Sequence, residues 1–237
     1  MLMRYRCCLL LLCLLAILVV NGVEAYAMDT GFSTEELTGK EKTFVSNVCI
    51  TPLMSTPTKK SILCFDVNEQ GMIAVGQAGN TGKEICIYDA AGIFLYGYTF
   101  NCSQSFAVEL NDNCVNIYFV RSDVIISLDS NGNILDIKKV QDTTNNNAYR
   151  TDLLYSTSRI VGEYTYLIRN DMGILNGIAT TYSQIVTIDS AGTEQIIYDV
   201  NSTQFATVVT MTVGILLLTA VVGVVIIGQF VKSKKRN

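Results

Sequence analysis

Apolar and polar positions alternate differently in three stretches of this chain. From Cys7 to Val20 the residues are continuously apolar, CCLLLLCLLAILVV. From Ser61 to Val200 the apolar residues come in short runs broken by Asn, Asp and Gly. From Ala206 to Val231 they are continuous again, and no charge interrupts them. Short runs rich in β-branched and aromatic residues, punctuated by turn formers, predict strands joined by hairpins. Long uninterrupted apolar runs predict helices that meet lipid rather than water.

The middle stretch repeats itself. ICIYDAAGIFLYGYTF (Ile85–Phe100), IISLDSNGNILDIKKV (Ile125–Val140) and IVTIDSAGTEQIIYDV (Ile185–Val200) align on Asp89, Asp129 and Asp189. Ile stands four positions before each Asp, and Gly92, Gly132 and Gly192 stand three after it. Asp at the first position of a turn accepts backbone N–H bonds, and Gly at the fourth tolerates a positive φ. Each phrase therefore reads as a hairpin. A second turn precedes each one: Asn68 to Gly71, Asn111 to Cys114, and Asn170 to Gly173. The predicted unit is four strands: strand, turn, strand, loop, strand, turn, strand.

A four-stranded antiparallel unit of about 40–45 residues has the period of a β-propeller blade. These units resemble the generic blades of propeller repeats such as the NHL and quinoprotein types, over roughly Ser61 to Val200. The resemblance implies an all-β fold of about three propeller-like blades, partial or completed by oligomerisation. It carries no enzyme function, because the signature residues are missing. The WD dipeptide is absent, the quinoprotein Trp position holds Tyr96, Asp136 and Ile196, and the sialidase Asp-box lacks its Trp.

The spacing is uneven. The three Asp residues are 40 and then 60 positions apart, and the extra residues fall in Gln141–Val161. Its Asn- and Thr-rich front reads as a loop that interrupts the array. Three blades are fewer than the ~4 of a closed propeller. Residues 28–60 are expected to be a stalk or to add a strand, with TFVSNVCI (Thr43–Ile50) the best candidate. A second chain could also complete the ring.

The two ends suggest an address. Arg4 and Arg6, the apolar run and Ala25-Tyr26-Ala27 have the layout of a secretory signal over residues 1–27, with cleavage after Ala27 or Ala25 or retention as an anchor. Residues 61–204 would form the exported β domain and 205–231 one transmembrane helix. The 232–237 tail, with Lys232, Lys234, Lys235 and Arg236, would stay in the cytoplasm. Thr210 with Gly214, and Thr219 with Gly223, have the small-residue spacing of paired helices.

Composition then removes chemistries. Of the 17 basic residues, six sit at Arg4, Arg6 and in the tail, which leaves 11 against 20 acids over residues 28–205. An acidic domain is unsuited to nucleic acid or to an anionic surface. The chain has no His, so His-based nucleophilic triads and His-ligated metals are out. It has no Trp, which weakens a polysaccharide-binding reading. Of eight cysteines, Cys49, Cys64, Cys86, Cys102 and Cys114 lie beyond the leader, and no CxxC suggests zinc. Cys64 and Cys86 read as buried thiols, and Cys102 with Cys114 as the best candidate for a disulfide.

No residue stands out as catalytic, and no cofactor or metal is called for. Asp129, Asn131 and Asn133 have the opening spacing of a calcium loop, but Ile134 and Val140 replace its Gly and Glu. Asp89, Asp129 and Asp189 recur with the architecture, as do Asn68, Asn111 and Asn170, which suits structural turns. Asn101 and Asn201 match the glycosylation pattern. The expected function is a membrane-anchored, extracytoplasmic binding or scaffolding protein whose partners are the bilayer and an unidentified protein or a second copy. The alternatives are a subunit of a membrane complex acting through its helix, and a propeller-type hydrolase or lyase.

Overall fold

The computed structural model describes residues 28–80 and 82–234, so the leader lies outside the described residues. The protein is mostly β, with three antiparallel sheets and one C-terminal apolar helix. The strands are β1 (Thr34–Glu35), β2 (Ile50–Pro52), β3 (Ile62–Val67), β4 (Ile73–Ala78), β5 (Lys83–Tyr88), β6 (Phe94–Phe100) and β7 (Phe106–Leu110). They continue as β8 (Val115–Phe119), β9 (Val124–Leu128), β10 (Ile134–Val140), β11 (Ser158–Val161), β12 (Tyr164–Arg169), β13 (Gln184–Ile188) and β14 (Glu194–Asp199). Helix α1 spans Gly39–Asn47, α2 Thr144–Tyr155 and α3 Asn201–Lys234.

Each sheet is built on a four-strand meander. The first runs β2-β6-β5-β4-β3, the second β1-β10-β9-β8-β7, and the third β11-β12-β13-β14. The N-terminal segment supplies the extra edge strands, so Ile50 pairs with Phe100 and Thr34 with Val140. It covers two sheet edges that would otherwise expose unpaired backbone groups. The third sheet receives no such strand.

The first sheet lies between the other two. Ile85, Ile87, Tyr98 and Phe100 pack on Val108, Ile117, Phe119 and Ile126 of the second sheet. Phe65, Val75, Cys86 and Tyr88 on the opposite face pack on Tyr166, Ile168, Ile185 and Tyr198 of the third. This two-sided burial explains why β4 and β5 read as nearly unbroken apolar runs. At ~1.5–3 kcal/mol per buried large aliphatic or aromatic side chain, these two interfaces are the main source of stability. The far face of the second sheet is capped in cis, where Phe32 and Leu153 cover Ala107, Tyr118, Ile125 and Val140.

Three expectations are corrected. The Asn- and Thr-rich insert is not a loop: Thr143 accepts a bond from Asn146 N at 3.1 Å and starts α2. A capping Thr outweighed the polar composition, and the helix packs its Leu153 on the second sheet. Thr43–Ile50 is not a strand. Most of it lies in α1, and Phe44 and Val45 of the helix, with the extended residue Val48 that ends it, pack against the core. Asn170–Gly173 does not close a hairpin. The first hairpin of the third sheet is β11–β12, which turns at Gly162 and Glu163, with Val161 paired to Tyr164. Residues after Asn170 instead form a long connection with a 3-10 turn at Gly173–Gly177.

The repeated turns differ in what they touch. Gly92, Gly132 and Gly192 have φ of +79°, +84° and +80°. A Cβ on Gly92 would lie 2.3 Å from the carbonyl oxygen of Ile197 in the third sheet, whereas one on Gly192 would meet nothing within 4 Å. Replacing Gly192 by Ala is expected to cost ~1–2 kcal/mol from the left-handed backbone alone. Gly92→Ala should cost clearly more, because it also pushes the first and third sheets apart. Denaturant melts of the two variants check this, and equal losses would mean that the Gly92 turn does not touch β14.

Candidate functional site

The repeated acids are used up by their own turns. Asp89 Oδ1 accepts from Ala91 N and Ile93 N at 3.0 and 2.8 Å. Asp129 Oδ1 accepts from Asn131 N and Asn133 N at 2.9 and 2.8 Å, and Asp189 Oδ1 from Ala191 N and Thr193 N at 2.9 and 2.7 Å. The glycine N–H closes each turn on the Asp carbonyl at 2.9–3.0 Å. Asn133 donates its side-chain amide to Asp129 as well, at 2.8 Å, and this bond chiefly holds the Asp129 carboxyl below its ordinary range. The Thr193 backbone N–H does the same for Asp189. A carboxylate accepting this many local donors is built for turn geometry. Among the described residues, no group of three or more His, Cys, Asp or Glu could hold a metal ion.

Two of the upstream turns converge. Asn68, after β3, and Asn111, after β7, line one open cleft of about 800 Å³ together with Gly162 of the β11–β12 turn. Asp29, Glu69 and Asp112 place three carboxylates on its walls. The Asn68 turn closes by Gly71 N donating to the Asn68 carbonyl at 3.0 Å, and the Asn111 turn by Asn111 N donating to the Cys114 carbonyl at 3.0 Å. Gly71, with φ of +76°, faces the Tyr166 hydroxyl, against which a Cβ would come to 2.8 Å. Asn68 Oδ1 accepts from Met72 N at 2.9 Å, while its buried Nδ2 has no partner among the described residues. The cleft thus offers several carboxylate acceptors, a lining for a polar or cationic group rather than an apolar one. Asn170 lies elsewhere, beside the start of α3, where its Oδ1 accepts from Gln204 Nε2 at 3.3 Å, and Gly173 opens the 3-10 turn that follows.

The residues next in sequence to the cleft-lining Val67 and Ile160 form a pair not singled out from the sequence. Asp66 on β3 meets Arg159 on β11, 93 residues away, at 2.7 Å. Its other oxygen accepts from Leu110 N on β7 at 2.8 Å. One carboxylate therefore ties the first strands of all three meanders together. Burial raises the Asp66 carboxyl above its ordinary range, against the downward pull of the Leu110 N–H and Arg159. A comparable knot holds the cap. Glu109 accepts from Gly31 N at 2.7 Å, Tyr149 OH at 2.5 Å and Asn116 Nδ2 at 2.9 Å. Asp66 and Glu109 each interrupt an apolar run, FDV and VEL. That interruption was the one sequence signal that a buried charge needed distant partners.

The five described cysteines are free, so the Cys102–Cys114 disulfide does not form. Burial pushes the thiols of Cys64 and Cys86 up to about 12, and Cys49 is exposed. The glycosylation candidates differ too. Asn101 is exposed, whereas the Asn201 side-chain amide donates to the Asp171 carbonyl at 2.7 Å.

Asp66→Ala would leave Arg159 half-enclosed without its counter-charge and should cost ~3 kcal/mol or more in denaturant melts. Because the folded carboxyl holds its proton to higher pH than the unfolded one, stability should fall as pH rises through that window. Asp66→Asn should remove that slope, and an unchanged slope would mean the titration belongs to another group. In native protein at pH 8, an alkylating reagent should label Cys49 readily and spare Cys64 and Cys86 until unfolding. Fast labelling of Cys86 would show that the first and third sheets do not stay closed. No protein-family model matches the chain, and no curated protein matches it, so the functional reading rests on the geometry of this chain.

Proposed function

We propose that the protein is a membrane-tethered extracytoplasmic association module. Its three sheets are blades of an incomplete propeller, and the far face of the third sheet receives a further β-unit from a second copy. The observation that carries this reading is the way equivalent positions are covered. Three residues before the repeated Asp, Ile126 of the second sheet packs on the first sheet, and Cys86 of the first packs on the third. The equivalent Val186 is itself buried, but it lies on the third-sheet face that no other sheet covers, where Ile160 and Ile196 remain 78% and 49% exposed. The Asp129 and Asp89 turns each lean on the next sheet, while the Gly192 turn meets nothing. The opposite end of the stack is closed by α2 and Phe32, so a head-to-tail contact has no receiving surface. A two-fold contact of third sheet on third sheet does.

The anchor is α3, one helix long and apolar enough to cross a membrane: an 18-residue window within Asn201–Gly223 has a mean hydropathy of 2.3, and none of that window is buried in the protein. Leu216, Leu217 and Leu218 are each more than 60% exposed, which water would penalise and lipid would not. The basic residues that follow its apolar stretch, Lys232 to Arg236, favour a cytoplasmic tail and an exported β domain. A two-fold axis along the membrane normal would keep both tails on the same side. The hydrolase alternative calls for two neighbouring acids with raised pKa values. Asp66 is the one carboxyl so shifted among the described residues, and both its oxygens are engaged.

Light scattering of the full-length protein in detergent tests the association. The wild type is expected at twice the chain mass with a melting temperature that rises with protein concentration, and Ile196→Lys at the chain mass with a melting temperature independent of concentration. A monomeric wild type at micromolar concentration would defeat the second-copy reading. Protease added outside intact cells checks the anchor separately: it should digest the β domain and spare only the membrane-protected C-terminal fragment.

A further inference from the structure

The connection between β12 and β13, Asn170–Ser183, is long, uncharged after Asp171, and oddly exposed. Ile174 is 95% exposed and Ile178 56% exposed, four residues apart around the 3-10 turn. Such residues on a loose loop would mean little. This loop is closed on itself and clamped to α3. Asn170 Nδ2 donates across its neck to the Thr181 carbonyl at 3.0 Å, and Met172 N donates to Asn176 Oδ1 at 2.9 Å. Met172 is turned inward and buried.

The clamp comes from the first turn of the apolar helix. Asn201 Nδ2 donates to the Asp171 carbonyl at 2.7 Å, at one end of the loop. Gln204 Nε2 donates to the Thr181 carbonyl at 2.7 Å, at the other. Ser183 Oγ donates to Asn201 Oδ1 at 3.1 Å. The loop is therefore held at the level of Asn201–Gln204. The apolar run of α3 starts one residue later, at Phe205, and a hydrocarbon core of ~30 Å takes up ~20 residues of helix from about there. That places the clamped turn in the headgroup layer, where apolar side chains on a rigid loop enter the boundary with the acyl chains.

We infer that Asn170–Ser183 is a second membrane contact, in which Ile174 and Ile178 insert shallowly into the leaflet from which α3 descends. The inference rests on α3 crossing the bilayer. Its consequence is mechanical. A domain tied to lipid by one helix alone can swing about its first turn. A domain held by a helix and a clamped loop has a fixed tilt. The loop carries no basic residue after Asn170, so the contact is apolar and suits zwitterionic lipid.

The test uses full-length protein in phosphatidylcholine vesicles, with Cys7, Cys8 and Cys13 changed to Ala and Cys49 and Cys102 changed to Ser. Single fluorophores are attached at Ile174→Cys, Ile178→Cys, Leu217→Cys within α3, and Asn131→Cys on a distant turn. Acyl chains brominated just below the ester level should remove most of the emission at positions 174 and 178, and shift it to the blue, while leaving position 131 unchanged. Chains brominated near their ends should quench position 217 most strongly. If positions 174 and 178 behave like 131 while 217 is quenched, the helix spans the bilayer, the loop stays in water and the inference is overturned. If 217 is not quenched by either lipid, the membrane reading fails, and the loop contact fails with it.

Discussion

A strand with apolar side chains on both faces has no side to give to water. Ile73, Ala74 and Val75 on β4 and Ile85, Cys86 and Ile87 on β5 are such strands, each side chain almost wholly buried. The first sheet is stable only when something covers it on each side, and the second and third sheets do so. The close approach is tight. A Cβ on Gly76 would come within 2.4 Å of Cys64 Sγ and 2.9 Å of the Phe106 ring, so the smallest residue is required where the first two sheets meet. Every other feature of the domain follows from this sandwich or trims its edges.

Stacking passes the same problem outward. Each added sheet covers one face and brings another. The second sheet ends the series in cis, since α2 and the Phe32 segment cover it and the Glu109 knot fixes them there. The third sheet ends it differently. It leads directly into α3 at Asn201, and its outer face keeps Ile160 and Ile196 in the open. The asymmetry gives the chain one finished end and one unfinished end, and the unfinished end is the one joined to the apolar helix. With α3 across a membrane, as proposed, a binding surface placed there would be held close to the bilayer, where neighbours are confined to two dimensions and meet at high effective concentration.

Polar groups inside the stack set alignment rather than bulk stability. Asp66 reaches one residue in each of the other two meanders, Arg159 and Leu110. Tyr198 of the third sheet joins Gln77 of the first at 2.9 Å, and Gln77 in turn binds Glu84 at 2.8 Å. A slide of one sheet over another by a single residue would leave these groups buried and unpaired, at a cost of ~1–3 kcal/mol each. Apolar faces tolerate sliding far better, so these bonds select one register among several that hydrophobic burial alone would accept.

The sequence by itself determined whatever is local. The Asp-x-x-Gly phrases specify their turns because both the acceptor and the glycine lie within four residues, and strands on either side follow from short apolar runs. The apolar stretch from Ala206 was legible as a helix by length alone. The connection after Asn170 misled because its Asn-acid-x-Gly spelling matches the true turn at Asn68, and the β11–β12 turn at Gly162 has no such spelling. The Thr143 cap and α1 were hidden under polar composition, since a helix that packs few side chains shows little periodicity. Only the tertiary structure decided which sheet lies in the middle, which face is capped, and that Asp66 finds Arg159. Those depend on contacts between residues tens of positions apart, and a chain carries no local record of which of its equivalent apolar faces will meet.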